Sequence, residues 1–328
     1  MAMKKLLVGV SVTLAASSLM AQDVTEIVLD QPPFAVHSSF WPNLNNVLWA
    51  EAWARRPASA EPSPSGVLPE PLQANLTADE RAAWDGAVTY YDDEVADLHP
   101  LFEMGAIRKA MLAARAELPA AGLGPTHRRV LASAAAVYRK HYWAGHDFAN
   151  RAWVADPLSK VASLSPAVPD RLTKLYGTPW FTQPVRVDVV RVTSREGAFT
   201  SIDPPPAYIT IASGNPNMTG WMAAEVLFHE ASHPLVMPLI QAFSVELKAQ
   251  GKSSRDLWHV ALFHLTGEVV RQALEARNIR YEPYLYKTGL FDRAWPQYKV
   301  AIETHWKPYV DGKASRTDAI KNVVTAIK

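Results

Sequence analysis

His229, Glu230 and His233 stand in the spacing H-E-x-x-H, directly after the apolar run Val226-Leu227-Phe228, in a stretch that reads as helix. An α-helix turns once every 3.6 residues, so positions i and i+4 share a face. Both imidazoles can then reach one metal ion, and neutral imidazole is a zinc ligand. Glu230, next to the first histidine, can hold a metal-bound water without itself binding the metal. These residue types at this spacing point to zinc-assisted hydrolysis of an amide bond. The competing reading is a helix whose polar groups face solvent or satisfy one another, and it explains neither the spacing nor the apolar neighbours.

A catalytic zinc keeps three protein ligands and one open position. A further histidine six positions after His233 is absent, because Leu239 stands there. Glu268 is the candidate third ligand. It lies 35 positions beyond His233, room for a helix, a loop and a return on an antiparallel helix. Gly267 beside it would let the two helices approach closely. His264, one turn earlier on the same face, is the rival ligand or a group that orients the others. The bland reading of Glu268 is an ion pair with Arg271 at i+3. A donor is also needed to steady a tetrahedral oxyanion; Tyr281, Tyr284 and His259 are candidates, with Tyr284 preferred.

Helices and strands must position these groups. Thr77 to Glu80 forms a capping box opening a helix to about 96, and further helices are predicted at about 100–118, 126–154 and 169–176. Residues 185–193 and 207–213 are β-branched and partly alternating, the signature of strands. Pro204, Pro205 and Pro206 between them argue against a tight hairpin. Asn217 or Thr219 can cap the helix that carries the motif. Helices follow at about 236–250 and 255–276, and Ser315 to Asp318 caps a last one. Pro234 removes a backbone donor directly after His233, so the helix must end or kink there; the paired histidines survive if the kink falls after His233.

Strand, turn, then a helix bearing H-E-x-x-H resembles the zincin metallopeptidases. With a downstream Glu268 the pattern is similar to their gluzincin branch. That resemblance covers about 60 residues and implies an α+β, mostly helical fold with a small sheet beside the motif helix. It also implies Glu230 as general base and zinc held by His229, His233 and Glu268. The wider layout, H-E-A-S-H followed by W-H-x-x-x-F-H-x-x-G-E, resembles a group of exported bacterial proteins. The strand at 207–213 is expected at a sheet edge, where it could pair with an extended peptide substrate.

The rest of the chain bounds the reading. Lys4 and Lys5, the apolar stretch from Leu6 to Leu19 and the small residue Ala21 form a signal-peptide pattern over residues 1–21, which implies a periplasmic or secreted protein. No cysteine is present, excluding both disulfides and a lipid-attachment cysteine. Removal of residues 1–21 takes two of the 33 basic side chains, leaving 31 against 32 acidic ones. That balance gives no footprint for nucleic acid or an anionic membrane. Eleven tryptophans argue for a substantial core. A mainly helical region over 22–176 and a catalytic region over 177–328 are expected, which can form one continuous domain. The Pro/Ser-rich stretch 57–71 reads as a long surface loop.

Phosphate-binding glycine loops and the G-x-S-x-G nucleophile turn are absent. His141, His146 and Asp147 are tempting as a second metal site. Five residues of helix, however, place the two imidazoles about 140° apart, so a structural role is favoured. Trp41, Trp49 and Trp53 read as core. The leading expectation is a zinc peptidase acting on peptides or proteins. The alternatives are a non-catalytic periplasmic binding or assembly protein with a structural zinc, and a zinc hydrolase of small amides or esters.

Overall fold

The computed structural model describes residues 26–56, 64–65, 75–114, 118, 122–202 and 206–327. The proposed signal segment 1–21 and most of the 57–71 loop lie outside them. The fold is α+β and mostly helical, built around one five-stranded mixed sheet. Two elements with no clear sequence signal open it: β1 (Glu26–Gln31) and β2 (Phe34–Ser38), paired antiparallel. The helix α1 (Phe40–Ala54) follows. A two-residue strand β3 (Pro64–Ser65) precedes α2 (Ala78–Glu94), α3 (Gly105–Ala113) and α4 (Pro125–Tyr138). A π-helical turn, Arg139–Trp143, joins α4 without interruption to α5 (Ala144–Leu164); α6 (Ala167–Tyr176) comes next.

Local chemistry explains several boundaries. The Thr77 hydroxyl accepts from the Glu80 N–H and the Glu80 carboxylate accepts from the Thr77 N–H, the reciprocal box anticipated from sequence. Gly177, at φ 70°, ends α6 in the left-handed region that glycine adopts without strain. Ser315 caps the C-terminal helix (Arg316–Ala326) by accepting from the Asp318 N–H.

The sheet is completed by β4 (Val185–Val190), β6 (Ala198–Ser201) and β7 (Tyr208–Ala212), while β5 (Thr193–Ser194) pairs separately with β3. Its order is β1-β2-β4-β7-β6, with β2, β4 and β7 parallel and β6 antiparallel to β7. The strand at 207–213 is therefore internal; β6 forms the edge. That correction has a plain cause: the chain turns at Arg195 to Gly197 and adds a short strand outside β7 that carries little sequence signal.

Alternation gives the sheet two buried faces. Phe34, Val36, Val187, Val189, Ile209 and Ile211 join one core with α7 (Gly220–Ser232), α8 (Met237–Ala249) and α9 (Leu257–Glu275). The opposite face meets α1 and α3, where α1, α2, α3 and α4 build a second core around Trp41, Trp49 and Trp53. The two cores do not divide at residue 176. Strand β2 pairs with β4, α5 packs on α7 and α6 packs on α9, so residues from 26–38 and 144–176 belong to the later half's core. No helix among the described residues is long and apolar enough to cross a membrane.

Candidate metal centre

The motif helix α7 begins at Gly220, whose N–H is capped by the Asp156 carboxylate of α5 at 3.0 Å. A carboxylate there complements the positive end of the helix. Thr219 occupies the cap position but makes no side-chain cap bond. The α-helix ends at Ser232 and passes into a short 3-10 turn, His233–Leu235. His233 keeps right-handed helical angles (φ −51°, ψ −45°), so the break imposed by Pro234 falls after it. The rings of His229 and His233 stand 4.9 Å apart, edge to face.

Helix α9 runs antiparallel to α7, and the pairing repeats about every turn. Gly267 lies against Glu225, where a Cβ would come within 2.8 Å of Pro283 Cβ and 2.9 Å of Glu225 Oε1. Phe263 stacks on His229 at 3.6 Å. Trp258 and His259 flank His233, at 5.9 and 5.1 Å between ring centroids. His259 thereby completes a group with His229 and His233 whose ligand atoms all lie within 4.8 Å of one another, and these three could hold a metal ion. Two nitrogens bound tetrahedrally to one cation at zinc-like bond lengths sit about 3.3 Å apart. The Nε2 atoms of His229 and His259 are separated by 3.3 Å.

The protonation states suit ligation, which requires neutral imidazole. Burial pushes His233 down to about 3 and His259 to about 4. It drives His229 well below its ordinary value, with the neighbouring histidines adding to the effect. The donor set and its spacing fit a divalent cation of borderline softness.

Glu230 lies at the same place. It is buried, its Oε2 stands 3.8 Å from His233 Nε2, and burial raises its carboxyl to about 7. Thr200 on the edge strand β6 sits 2.8 Å from Glu230 Oε2 and 2.7 Å from the Glu230 carbonyl oxygen, tying the carboxylate to the sheet. Thr200 had no sequence signal. It faces α7 because it pairs with Ile209, whose side chain points to that core.

The structure does not bring Glu268 to the pair. One residue past Gly267, Glu268 lies near the level of Glu225, two turns of α7, or about 12 Å, from His233. Its carboxylate instead pairs with Arg271 and Lys307, each at 3.0 Å. The i+3 ion pair is thus what is found, extended by a lysine distant in sequence. His264 is buried against Tyr286, neither ring nitrogen has a hydrogen-bond partner among the described residues, and it is outside the group as well. His259 was legible in hindsight: His259, Phe263 and Gly267 repeat every four residues on one face, opposing His233, His229 and Glu225.

Among the proposed oxyanion donors, His259 is part of the metal group and the Tyr281 hydroxyl donates to Glu225 at 2.5 Å. Tyr284 donates its backbone N–H to Glu225 at 3.0 Å, and its ring stacks on Phe263, which in turn covers His229. His141 and His146 have separate neighbours, although His141 sits in the π-helical turn and not on a regular α-helix: His141 lies 3.2 Å from Glu80, and His146 Nδ1 lies 2.8 Å from the Tyr138 hydroxyl.

The chain matches no protein-family model, no curated protein and no solved structure. The functional reading therefore rests on the residues themselves.

Proposed function

We propose that this protein is a zinc-dependent hydrolase, and that its substrate bond is a peptide bond. The observation carrying the proposal is the convergence of three neutral imidazoles, His229, His233 and His259, with the buried carboxylate of Glu230 beside them. Zinc held by the three histidines would polarise a carbonyl and acidify a water. Glu230, with a carboxyl near neutrality, is suited to accept a proton at Oε2 from the attacking water and to return one to the leaving amine. Thr200 holds that carboxylate in place against the loss of its rotamer. Tyr284 is our candidate for the donor that steadies the oxyanion.

Export to a periplasm or the extracellular medium is part of the proposal and rests on the pattern at residues 1–21. Mass spectrometry of the N-terminus recovered from the cell envelope or medium checks it: a start at or near Gln22 is expected, and an intact Met1 rejects it.

The decisive experiment measures bound zinc and cleavage of a mixed peptide library for wild type and Glu230→Gln. One equivalent of zinc in both proteins, with hydrolysis only in wild type, is expected. Equal and negligible cleavage by both would leave a zinc-binding protein without catalysis. Absence of zinc from wild type rejects the metal site.

A further inference from the structure

A groove of about 540 Å³ lies between α8 and the start of α9, within the size range of small-ligand and side-chain sites. Its walls include Ile240, Phe243, Leu247 and Trp258. Trp258 is also a wall of the metal centre. Its ring stacks on His259 at 5.1 Å and meets His233 edge to face at 5.9 Å. The groove and the rings of His233 and His259 thus share the Trp258 indole as a wall. A segment whose reacting carbonyl sits at the histidines would carry an adjacent side chain past Trp258.

The charge of the groove selects among side chains. Among the described residues no acidic side chain lines it, and its charged members are Lys248 and Lys252. Lys252 is committed elsewhere: its ammonium donates to the carbonyls of Val324, Thr325 and Ile327 at the end of the C-terminal helix. Lys248 stands exposed at the rim. A basic side chain entering here would meet like charge, and an acidic one would find only the exposed, solvent-screened ammonium of Lys248, a pairing worth little in water. An apolar side chain would leave water against Ile240, Phe243, Leu247 and Trp258.

We infer that the groove beside Trp258 is a specificity pocket for a bulky apolar side chain, leucine-like or phenylalanine-like, of the peptide engaged at the three-histidine centre. The inference rests on the proposed peptidase reading, whose substrate class it names.

The test uses acetylated peptides identical except for Phe, Leu, Gly or Lys at one position, offered to the zinc-loaded full chain. Cleavage should favour Phe or Leu at a fixed position next to the cut bond by about tenfold or more over Gly and over Lys. Ser244→Phe fills the groove from an exposed wall position and should collapse the Phe-over-Gly ratio, whereas Ser244→Ala should keep it. A flat preference in wild type, a preference for Lys, or a ratio unchanged by Ser244→Phe would overturn the pocket. If wild type cleaves nothing, the peptidase reading fails, and calorimetric binding of the same peptides to zinc-loaded protein decides the pocket alone. Tighter binding of the Phe peptide, abolished by Ser244→Phe, supports it; equal binding of Phe and Gly peptides rejects it.

Discussion

The molecule contains two groups of buried or half-buried histidines, and their partners differ. In the N-terminal helices three stand apart, each beside a hydroxyl or a carboxylate: His127 meets the Tyr91 hydroxyl at 3.2 Å, His146 meets the Tyr138 hydroxyl at 2.8 Å, and His141 lies 3.2 Å from the Glu80 carboxylate. Against α7 the nearest polar neighbour of one imidazole is another imidazole, and His229 Nδ1 has no hydrogen-bond partner among the described residues. Clustering alone therefore does not mark a metal site. Three ring nitrogens within ligand distance of one common point, with a carboxylate at their edge, could hold a cation, which the scattered N-terminal imidazoles could not. Gathering three imidazoles, one buried and two half-buried, has little stabilising return unless their ring nitrogens find a partner.

The largest effect is expected at Glu230. Glu230→Gln should cut hydrolysis by about 10²–10⁴-fold while zinc content stays at one equivalent, measured by turnover and by elemental analysis. A variant that loses both would mean that the carboxylate is structural.

His259→Ala should abolish stoichiometric zinc, as should His233→Ala, whereas His146→Ala should leave metal content unchanged. Glu268→Ala sharpens the same contrast. It should retain zinc but lower stability to denaturant by about 2 kcal/mol, because Arg271 and Lys307 lose a common carboxylate. Zinc lost from Glu268→Ala and kept by His259→Ala would reverse the ligand assignment.

Gly267→Ala tests the helix contact that brings His259 into place. The added Cβ meets rigid Pro283 and the Glu225 carboxylate, so a loss of about 1–3 kcal/mol is expected in chemical denaturation, with weaker zinc binding. Unchanged stability would show that α7 and α9 need not approach so closely.

The smallest effect concerns the partnered histidines. Burial holds His127 and His146 at about 4 in the folded protein, below the ordinary value near 6.5. The unfolded chain then binds more protons between these values. Their contribution to stability is complete above pH 6.5 and is lost as pH falls from there towards 4. Equilibrium denaturation across that window should show stability falling with pH, and His127→Phe should flatten the slope. A slope unaffected by replacing either residue would assign the loss to other groups.

What could be read directly from the chain was local. The i, i+4 pairing of His229 and His233, the reciprocal cap of Thr77 and Glu80, the Ser315 cap, and the strand character of 185–190 and 208–212 all depend on residues within a turn or two of one another. Fixed backbone periodicities convert that spacing into geometry. Tertiary structure alone decided that β6 is the edge, that Asp156 caps the motif helix, that Thr200 holds Glu230, and that His259 stands where Glu268 was expected. The last of these turns on register. A 35-residue return path permits either residue, and only the seating of Gly267 against Glu225 sets which turn of α9 faces His233. Contacts between distant segments are selected by packing volume and by the partners each polar group can find, quantities that a one-dimensional spacing does not contain.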